Sequence, residues 1–366
     1  MNDYQAVDAT IGGADDRAIR FTGSWQEYLP IAASNILLTI VTLGIYRFWA
    51  AARQRRYLWS RTEVIDDTLE WTGTGKEMFI GFLVVTVVLL PFFLFVQFAF
   101  PALMARGMEA AAGVLFLLFY VGLVYLAGVA RFRALRYRLS RSWWRGIRGG
   151  SDEPGWRYGA EYLGRHALSV VTLFIMFPWA ATRLWNSRWN EMSFGGLGFR
   201  AHLDATGLKR RWALIYLVPF AMFFVAMILV LVAGVAVAAS GSEPGIGMMG
   251  VLFGFVALFY VAIPLATLHW FAKFYRNAAA ATTLGELEFG FDATTWDWLK
   301  LFLGNIALAV VTLGLGIAYW GYRNWAFMVR HAHLYGVVNV SELTQSTTSA
   351  PGEAEGFADA FEIGAI

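Results

Sequence analysis

The sequence predicts an all-α polytopic membrane protein, with four transmembrane helices, three broken or re-entrant helical elements and short cytoplasmic β-segments. Three observations lead to this fold class. Of the 366 residues, 58% are hydrophobic and only 15% are charged, whereas soluble domains carry about 25% charged residues. Four apolar stretches are long enough to cross a bilayer. Three more share one sequence pattern, which glycine or proline interrupts.

The four long apolar stretches form two pairs, at residues 78–100 with 110–130 and at 212–239 with 250–271. A helix needs about 20 residues to cross the hydrocarbon core. None of the four stretches contains Asp, Glu, Lys or Arg. Each of them therefore predicts a transmembrane helix.

Basic residues are distributed unevenly around these pairs. The short links at 101–109 and 240–249 together contain one basic residue, Arg106, whereas the flank at 131–148 holds seven Arg and no acidic residue. Cytoplasmic loops of membrane proteins carry an excess of Lys and Arg, so the links are expected outside and the flanks in the cytoplasm. Both termini are then predicted to be cytoplasmic.

Three further apolar stretches resemble one another in spacing. Each contains Val-Thr-Leu, with an aromatic residue 13 positions before the valine and an arginine 12 positions after it. The three motifs begin at Val41, Val171 and Val311. The middle copy departs from the others at Phe174, in place of glycine, and at Arg165, in place of asparagine. The shared spacing indicates an internal repeat of one Val-Thr-Leu element and one transmembrane pair, and the third copy lacks its pair.

The repeat divides the chain into five segments. They are a disordered N-terminal segment at 1–20, membrane module 1 at 21–150, membrane module 2 at 151–292, a partial third module at 293–341 and a disordered acidic tail at 342–366. Apolar and polar residues alternate around glycines in three short stretches, which predicts strands. These stretches lie at 68–73, 193–200 and 284–292.

Charges and chain breakers indicate how the Val-Thr-Leu elements enter the membrane. The second element has arginine clusters on both sides, and one crossing would export one of these clusters. Gly44, Pro178 and Gly314 interrupt the middle of the elements. We therefore favour re-entrant hairpins that enter and leave on the cytoplasmic side, with true crossings as the alternative. Irregular backbone at membrane depth must be shielded by protein or line a cavity, so these elements should line the interior.

Several motifs carry a resemblance to a known family. They are Phe21-Thr-Gly23, Asn35-Ile-Leu-Leu, the run from Thr42 to Trp49 with the following Arg53-Gln-Arg-Arg56, and Trp143-Trp-Arg-Gly-Ile-Arg148. In this combination, over roughly residues 20–340, the chain resembles the YjgN family of bacterial inner-membrane proteins, which is classed as a domain of unknown function. The resemblance implies a multi-pass protein of the bacterial inner (cytoplasmic) membrane with an undefined activity. It transfers no catalytic residue.

The sequence contains no constellation that indicates catalysis, so we expect no enzyme, no cofactor and no metal. His331 and His333 form a His-Ala-His pair without a third ligand nearby, which is a weak indication of a metal site. Zinc-protease and P-loop motifs are absent from the sequence. The predicted spans contain no carboxylate, which disfavours a carboxylate-driven transporter. A formal net charge of +3 is too small to indicate a nucleic-acid partner.

Arginines stand at the same position of the three elements, at Arg53, Arg183 and Arg323. One interpretation is that they face a common cytoplasmic vestibule and contact an anion or a lipid headgroup. The other is that they determine topology and touch anionic headgroups in the ordinary way. Interfacial anchoring is predicted for the tryptophans about one turn earlier, Trp49, Trp179 and Trp320.

The combined patterns predict an integral inner-membrane protein that is channel-like or transport-like, with a cytoplasm-facing site lined by broken helices. This prediction rests on analogy of architecture, because repeats with broken helices recur in transporters. The alternative is a non-catalytic membrane scaffold or regulatory subunit that docks a membrane-protein partner at the inner leaflet. Membrane lipids are the expected partners in both cases. A lipid-modifying enzyme is disfavoured because no acid, base or nucleophile is placed for it.

Overall fold

Helices and short strands alternate along the described chain. The computed structural model describes residues 7–8, 18–240, 246–338, 343–352 and 355. Its helices are α1 (Trp25–Val41), α2 (Arg47–Ser60), α3 (Gly75–Leu94), α4 (Phe100–Ala105), α5 (Glu109–Arg141), α6 (Trp156–Val171), α7 (Phe177–Trp189), α8 (Leu208–Ser240), α9 (Ile246–Ala280), α10 (Thr295–Val311) and α11 (Trp320–His331). A π-helical turn at Phe95–Ala99 joins α3 to α4, and a 3₁₀ turn at Leu315–Tyr319 precedes α11.

Four helical segments in the described residues are long and apolar enough to cross a membrane. They are Gly75–Ala105, Glu109–Arg141, Leu208–Val232 and Phe253–Ala280. They overlap the four predicted stretches, so the prediction of four transmembrane helices is confirmed by length and composition. Only 6% to 22% of the most apolar part of each segment is buried inside the chain. Helices that are apolar on all sides need apolar surroundings, which a bilayer provides.

Ten short strands of the described residues form one antiparallel sheet. They are β2 (Ile19–Phe21), β3 (Thr62–Val64), β4 (Asp67–Trp71), β5 (Ser142–Trp144), β6 (Ile147–Gly150), β7 (Ser193–Phe194), β8 (Leu197–Ala201), β9 (Thr282–Leu284), β10 (Leu287–Phe291) and β11 (Ala332–Tyr335). Each strand pairs with the next one along the chain, and β11 also approaches β2. The sheet is therefore nearly closed. A separate pair joins β1 (Val7–Asp8) to β12 (Val337–Val338).

This sheet corrects the prediction of an all-α fold. The predicted strands at 68–73, 193–200 and 284–292 do contain strands, but the sequence analysis did not predict that all of them join one sheet. The strands β5 and β6, which lie inside the arginine-rich flank, were not predicted from the sequence. Their turn is formed by Arg145 and Gly146, with φ angles of 50° and 72°. Positive φ at both central residues is typical of a tight hairpin turn, and the Arg-Gly pair was the available signal.

Each helix pair begins and ends at neighbouring strands of this sheet. The strands before and after α1–α2 pair with each other, as β2 with β3. The same holds for β4 with β5, β6 with β7, β8 with β9, and β10 with β11. In the part of the chain that the structure describes, five helix pairs, three short and two long, therefore each begin and end at this sheet.

The Val-Thr-Leu motif forms the turn of each short helix pair. The leucines Leu43, Leu173 and Leu313 have φ angles of 51°, 49° and 50°. The preceding threonine side chain connects the two helices. Thr312 Oγ1 donates to the carbonyl of Leu308 at 2.6 Å and accepts from the N–H of Gly316 at 2.6 Å. The threonine therefore satisfies backbone groups that a helix end leaves unpaired, which explains its place in the motif.

Aromatic side chains form a core between the first helix pairs and the sheet. Trp59 and Trp71 are each 4% exposed, and Tyr137 is fully buried. The Trp59 ring stacks on that of Trp325 with centroids 4.1 Å apart. Because Trp325 belongs to α11, this contact joins the last helix pair to the first.

The segment at 343–352 lies against the sheet. Gln345 Nε2 donates to the Gly146 carbonyl at 2.7 Å, and the N–H of Ser349 donates to Asp152 Oδ1 at 3.0 Å. The sequence predicts a disordered tail from residue 342; in the described part of that tail, Ser346 and Pro351 are buried and most other residues are exposed. The predicted disordered segment at 1–20 and the end of the tail at 356–366 lie largely or wholly outside the described residues.

Candidate functional site

Of the three arginines predicted to share a vestibule, Arg53 and Arg323 contact their own helix pairs. Arg53 is exposed on α2, and its Nη1 donates to Ser34 Oγ at 2.8 Å. Arg323 Nε donates to Asn305 Oδ1 at 2.8 Å. Arg183 is exposed on α7. Of the three, Arg323 lines a cavity described below, whereas Arg53 and Arg183 do not, so the structure does not bring them together there.

The three predicted tryptophan anchors also make contacts within the protein. Trp49 packs with its ring centroid 5.7 Å from that of Phe79. The guanidinium of Arg165 lies 4.2 Å from the Trp179 ring centroid, and Trp320 Nε1 donates to the Asn305 carbonyl at 3.1 Å. These contacts fix the tryptophans within the fold. Their role at a membrane interface stays a prediction.

A different set of arginines converges between α5, α6, α7 and α9. These helices enclose a cavity of about 490 Å³, which we call the arginine cavity. Its basic lining residues are Arg131 on α5, Arg165 on α6 and Arg188 on α7. Trp185, Trp270 and Phe274 are among the aromatic residues of the wall. The site thus combines positive charge with flat apolar surfaces.

Arg188 is the most unusual of these residues. Its side chain is buried, with the residue 6% exposed, and its Nε has no hydrogen-bond partner among the described residues. The strongest charged neighbours, Arg131 and Arg138, have the same sign, and burial lowers the pKa of the Arg188 guanidinium. A buried charge without an opposite partner destabilises a protein by several kcal/mol. This position is therefore chemically suited to an anion.

Neutral groups next to Arg188 can add hydrogen bonds to such an anion. Burial raises the pKa of the Tyr158 hydroxyl, although nearby Arg188 and Arg131 lower it, so Tyr158 keeps its proton and can donate. His166 contacts the Tyr120 hydroxyl at 2.8 Å and lies in the cavity wall. The arrangement can bind and orient an anion.

The cavity arises where the middle helix pair departs from the other two. Asn35 and Asn305 occupy the equivalent of Arg165, and they make hydrogen bonds to backbone or side-chain groups of their own helix pairs. In the middle pair, Arg165 and Phe174 both line the cavity. Departures from a local rule are expected at functional sites.

Arg131 and Arg188 are not among the residues predicted from the sequence, because both stand in basic stretches that are typical of topology signals. One signal was available on α6. Tyr158, Tyr162, Arg165, His166 and Ser169 all line the cavity, and their spacing of 4, 3, 1 and 3 residues places them on one face of a helix.

A second cavity lies between α1 and the last helix pair. It is a groove of about 1040 Å³ that runs from Trp25 and His331 to Ile40 and Leu315. We call it the seam groove, because it lies where the first and last helix pairs meet. Its walls are mainly apolar, and Lys300, Arg323 and Arg330 line it on the side of the last helix pair.

The two histidines of the His-Ala-His pair bind one carboxylate. His331 Nδ1 lies 2.5 Å from Asp292 Oδ1, and His333 Nε2 lies 3.0 Å from Asp292 Oδ2. This contact links the end of α11 and β11 to the end of β10. Within the described residues, no group of three or more His, Cys, Asp or Glu is arranged to hold a metal ion.

Comparisons with known proteins agree with the membrane architecture. The profile of a family of bacterial proteins of unknown function, DUF898, matches residues 16–360. The inner membrane protein YjgN of Escherichia coli (strain K12) is 33% identical over 128 residues, which are 35% of this chain and 29% of that protein. The chain thus aligns with less than a third of that relative.

A second relative aligns over most of both chains. The inner membrane protein YjgN of Salmonella typhimurium (strain LT2) is 23% identical over 364 residues, which are 88% of this chain and 90% of that protein. No solved structure matches the chain. The four apolar helices and these relatives support a multi-pass protein of the inner membrane. Because the family profile covers nearly the whole chain, the chain belongs to the DUF898 family of bacterial proteins of unknown function, and it is similar to the YjgN inner membrane proteins.

Proposed function

We propose that this protein is a transport-like inner-membrane protein that binds an amphiphilic organic anion in the arginine cavity. The observation that supports this most strongly is the buried Arg188, which has no described hydrogen-bond partner for its Nε and faces like charges. An anionic group would compensate that charge. The aromatic wall would receive an apolar part of the same molecule.

The position of the cavity supports transport rather than simple surface binding. It lies between α5 of the first long pair, α9 of the second long pair and the short pair α6–α7. We interpret the short pairs as re-entrant hairpins and as copies of an internal repeat, because each begins and ends at the same sheet. Irregular turns at membrane depth occur in transporters where they line binding sites.

The expected orientation places the sheet in the cytoplasm. The end of α5 and the turn between β5 and β6 contain five arginines between residues 133 and 145. The link at 106–108 between α4 and α5 contains one basic residue. By the positive-inside bias, the arginine cavity is reached from the cytoplasm. An anion in the cytoplasm would meet Arg131 and Arg188 before it reaches the membrane interior.

A panel of anions tests binding to the purified protein in detergent. Phenyl phosphate, benzenesulfonate, benzoate and inorganic phosphate would be added at constant ionic strength, and the thermal unfolding temperature would be measured. We expect the aromatic anions to raise this temperature more than inorganic phosphate does, because binding to the folded state stabilises it. The Arg188→Gln variant should lose the response.

Arg183→Gln is the matched control, because it removes the same charge from an exposed position on the same helix. It should respond to the anions as the unmodified protein does. Equal responses of the two variants would contradict the proposed site. The anion with the largest effect would then be tested for uptake into proteoliposomes, and binding without uptake would reject transport.

The alternative function is a membrane scaffold or regulatory subunit. The observation in its favour is the exposure of the tips of the short pairs, where Leu43, Leu173 and Leu313 are 94%, 73% and 95% exposed. Such tips can insert into one leaflet while the sheet contacts a partner protein. Unchanged anion responses in Arg188→Gln would favour this function.

A further inference from the structure

The seam groove marks the place where the two ends of the fold meet. Tyrosine hydroxyls connect α1 and the loop before it to the last helix pair. Tyr319 donates to the Trp25 carbonyl at 2.8 Å, Tyr322 to the Gly23 carbonyl at 3.0 Å and Tyr28 to the Ala318 carbonyl at 3.3 Å. Beside these contacts, α1 and α10 remain separated by the groove.

The wall of the groove on α1 is apolar and open to the surroundings. Leu29, Leu37 and Ile40 are 47%, 62% and 62% exposed, and they line the groove from its middle to the end near the turn. The turn itself is the apolar tip at Leu43. In a membrane, this wall therefore faces acyl chains rather than water.

The charges in the groove are mainly positive. Lys300, Arg323 and Arg330 line it, and Asp297 is its acidic residue. The Asp297 carboxylate accepts from the N–H and the hydroxyl of Thr294 at 3.0 Å and 2.6 Å, so it is engaged in capping α10. It also lies 3.7 Å from Lys300 Nζ. The excess of basic groups favours an anionic occupant.

We propose that the seam groove is a binding site for one anionic phospholipid. The phosphate lies at Arg323 and Lys300, and an acyl chain extends along α1 toward Ile40. A volume of about 1040 Å³ slightly exceeds the range of roughly 300–1,000 Å³ that is typical of small-molecule sites, as a site for a lipid requires. The bilayer supplies this ligand directly through the open wall.

A soluble anion fits this groove less well than a lipid does. It would occupy the basic end and leave the apolar wall of α1 uncovered, whereas a lipid satisfies both parts. The lipid would also fill the space between α1 and α10, beside the tyrosine hydrogen bonds and the Trp59–Trp325 stack that join the first and last helix pairs. The site is separate from the arginine cavity, so the two proposals can fail independently.

Native mass spectrometry of the purified full chain tests the proposal. The protein would be titrated with phosphatidylglycerol, phosphatidylcholine and the soluble headgroup glycerol phosphate. We expect phosphatidylglycerol to bind at least about tenfold more tightly than phosphatidylcholine, equivalent to about 1.4 kcal/mol. Arg323→Gln should reduce this preference, and Arg183→Gln, at the equivalent position of the middle pair, should keep it.

A second pair of variants tests the groove without changing charge. Ala33→Phe fills the groove, because Ala33 lines it and is exposed, and it should weaken phosphatidylglycerol binding by about tenfold or more. Ala307→Phe adds the same ring to an exposed position of α10 outside the groove and should leave binding unchanged.

Three outcomes would overturn the proposal. Equal binding of phosphatidylglycerol and phosphatidylcholine would indicate ordinary annular lipid. Full competition by glycerol phosphate would indicate a headgroup site that does not need the groove. Unchanged lipid binding in Ala33→Phe would place the lipid elsewhere, even if Arg323→Gln proved unstable because it loses the contact with Asn305.

Discussion

Arg188 shows at the scale of one residue how a binding site can oppose stability. The residue is 6% exposed and has like-charged neighbours. Within the described part of the chain no carboxylate pairs with it, and its guanidinium lies 5.6 Å from the Trp185 ring centroid. Replacement of even a buried ion pair by apolar residues is often neutral or stabilises a protein by about 1–4 kcal/mol, and a single buried charge has no ion pair to lose. Sites built for ligands commonly reduce the stability of the unliganded protein.

Arg188→Met should therefore raise the thermal unfolding temperature of the unliganded protein by a few degrees, equivalent to about 1–3 kcal/mol. The same change should abolish stabilisation by phenyl phosphate. Differential scanning fluorimetry in detergent measures both effects. Arg183→Met on the exposed face of α7 should change stability by less than about 0.5 kcal/mol. A strong loss of stability in Arg188→Met would show that the guanidinium is compensated.

The Asp292 carboxylate should make the stability of the folded protein depend on pH. Burial raises its pKa, but the hydrogen bonds from His333 and His331 outweigh this, and the pKa lies below the ordinary value of 3.8. A lowered pKa means that the folded state favours the ionised carboxylate. Its contribution to stability is present above pH 3.8 and is lost as the pH falls through the lower pKa of the folded state.

Asp292→Asn should accordingly reduce stability at pH 7, and the difference from the unmodified protein should shrink as the pH falls below about 4. The Asp292 side chain is 56% exposed, so we expect a loss below about 1 kcal/mol. Urea unfolding at several pH values measures it. Glu288→Gln, an exposed carboxylate on β10, is the control and should show no such dependence.

At the scale of one element, the turns of the short helix pairs depend on backbone conformation. Gly44 has a φ of 92°, a region that only glycine adopts without strain. No heavy atom lies within 4 Å of a Cβ placed at Gly44 or at Gly164, so alanine meets open space at both positions. Gly164 lies inside α6, where alanine is favoured over glycine by up to about 1 kcal/mol.

Gly44→Ala should destabilise the protein by about 1–2 kcal/mol, and Gly164→Ala should stabilise it by about 0.5–1 kcal/mol. Because neither side chain meets a neighbour, the opposite signs would come from the backbone alone. Thermal unfolding of both variants in the same detergent tests this. Equal stabilities of the two variants would show that the turn relaxes away from the left-handed conformation.

At the scale of the whole molecule, the sequence predicted the parts that local composition determines. Continuous apolar stretches are enough to identify four spans, and a shared spacing was enough to align the three Val-Thr-Leu elements. The sheet depends on contacts distant in sequence, such as Phe199 with Leu284, and its strands contain only two to five residues each. The arginine cavity requires side chains from four helices, so no local pattern could assemble it.

The side of the membrane on which each loop lies can be tested by cysteine labelling. The sequence contains no cysteine, so single cysteines can be introduced without background. Positions 66, 107, 152 and 202 are exposed. Gly107→Cys, in the link before α5, should react with an impermeant thiol reagent added to intact cells. Asp66→Cys, Asp152→Cys and His202→Cys should react only after the membrane is opened, because all three adjoin strands of the sheet.

The pair at 152 and 202 distinguishes a re-entrant middle element from one that crosses the membrane. These positions flank α6 and α7, and the strands beside them belong to one sheet. Because both ends of the α6–α7 pair attach to one sheet, both ends should lie on the same side of the membrane. Both cysteines should therefore be protected in intact cells. Labelling of His202→Cys with protection of Asp152→Cys would show that the middle element crosses, and both the re-entrant interpretation and the cytoplasmic position of the whole sheet would be wrong.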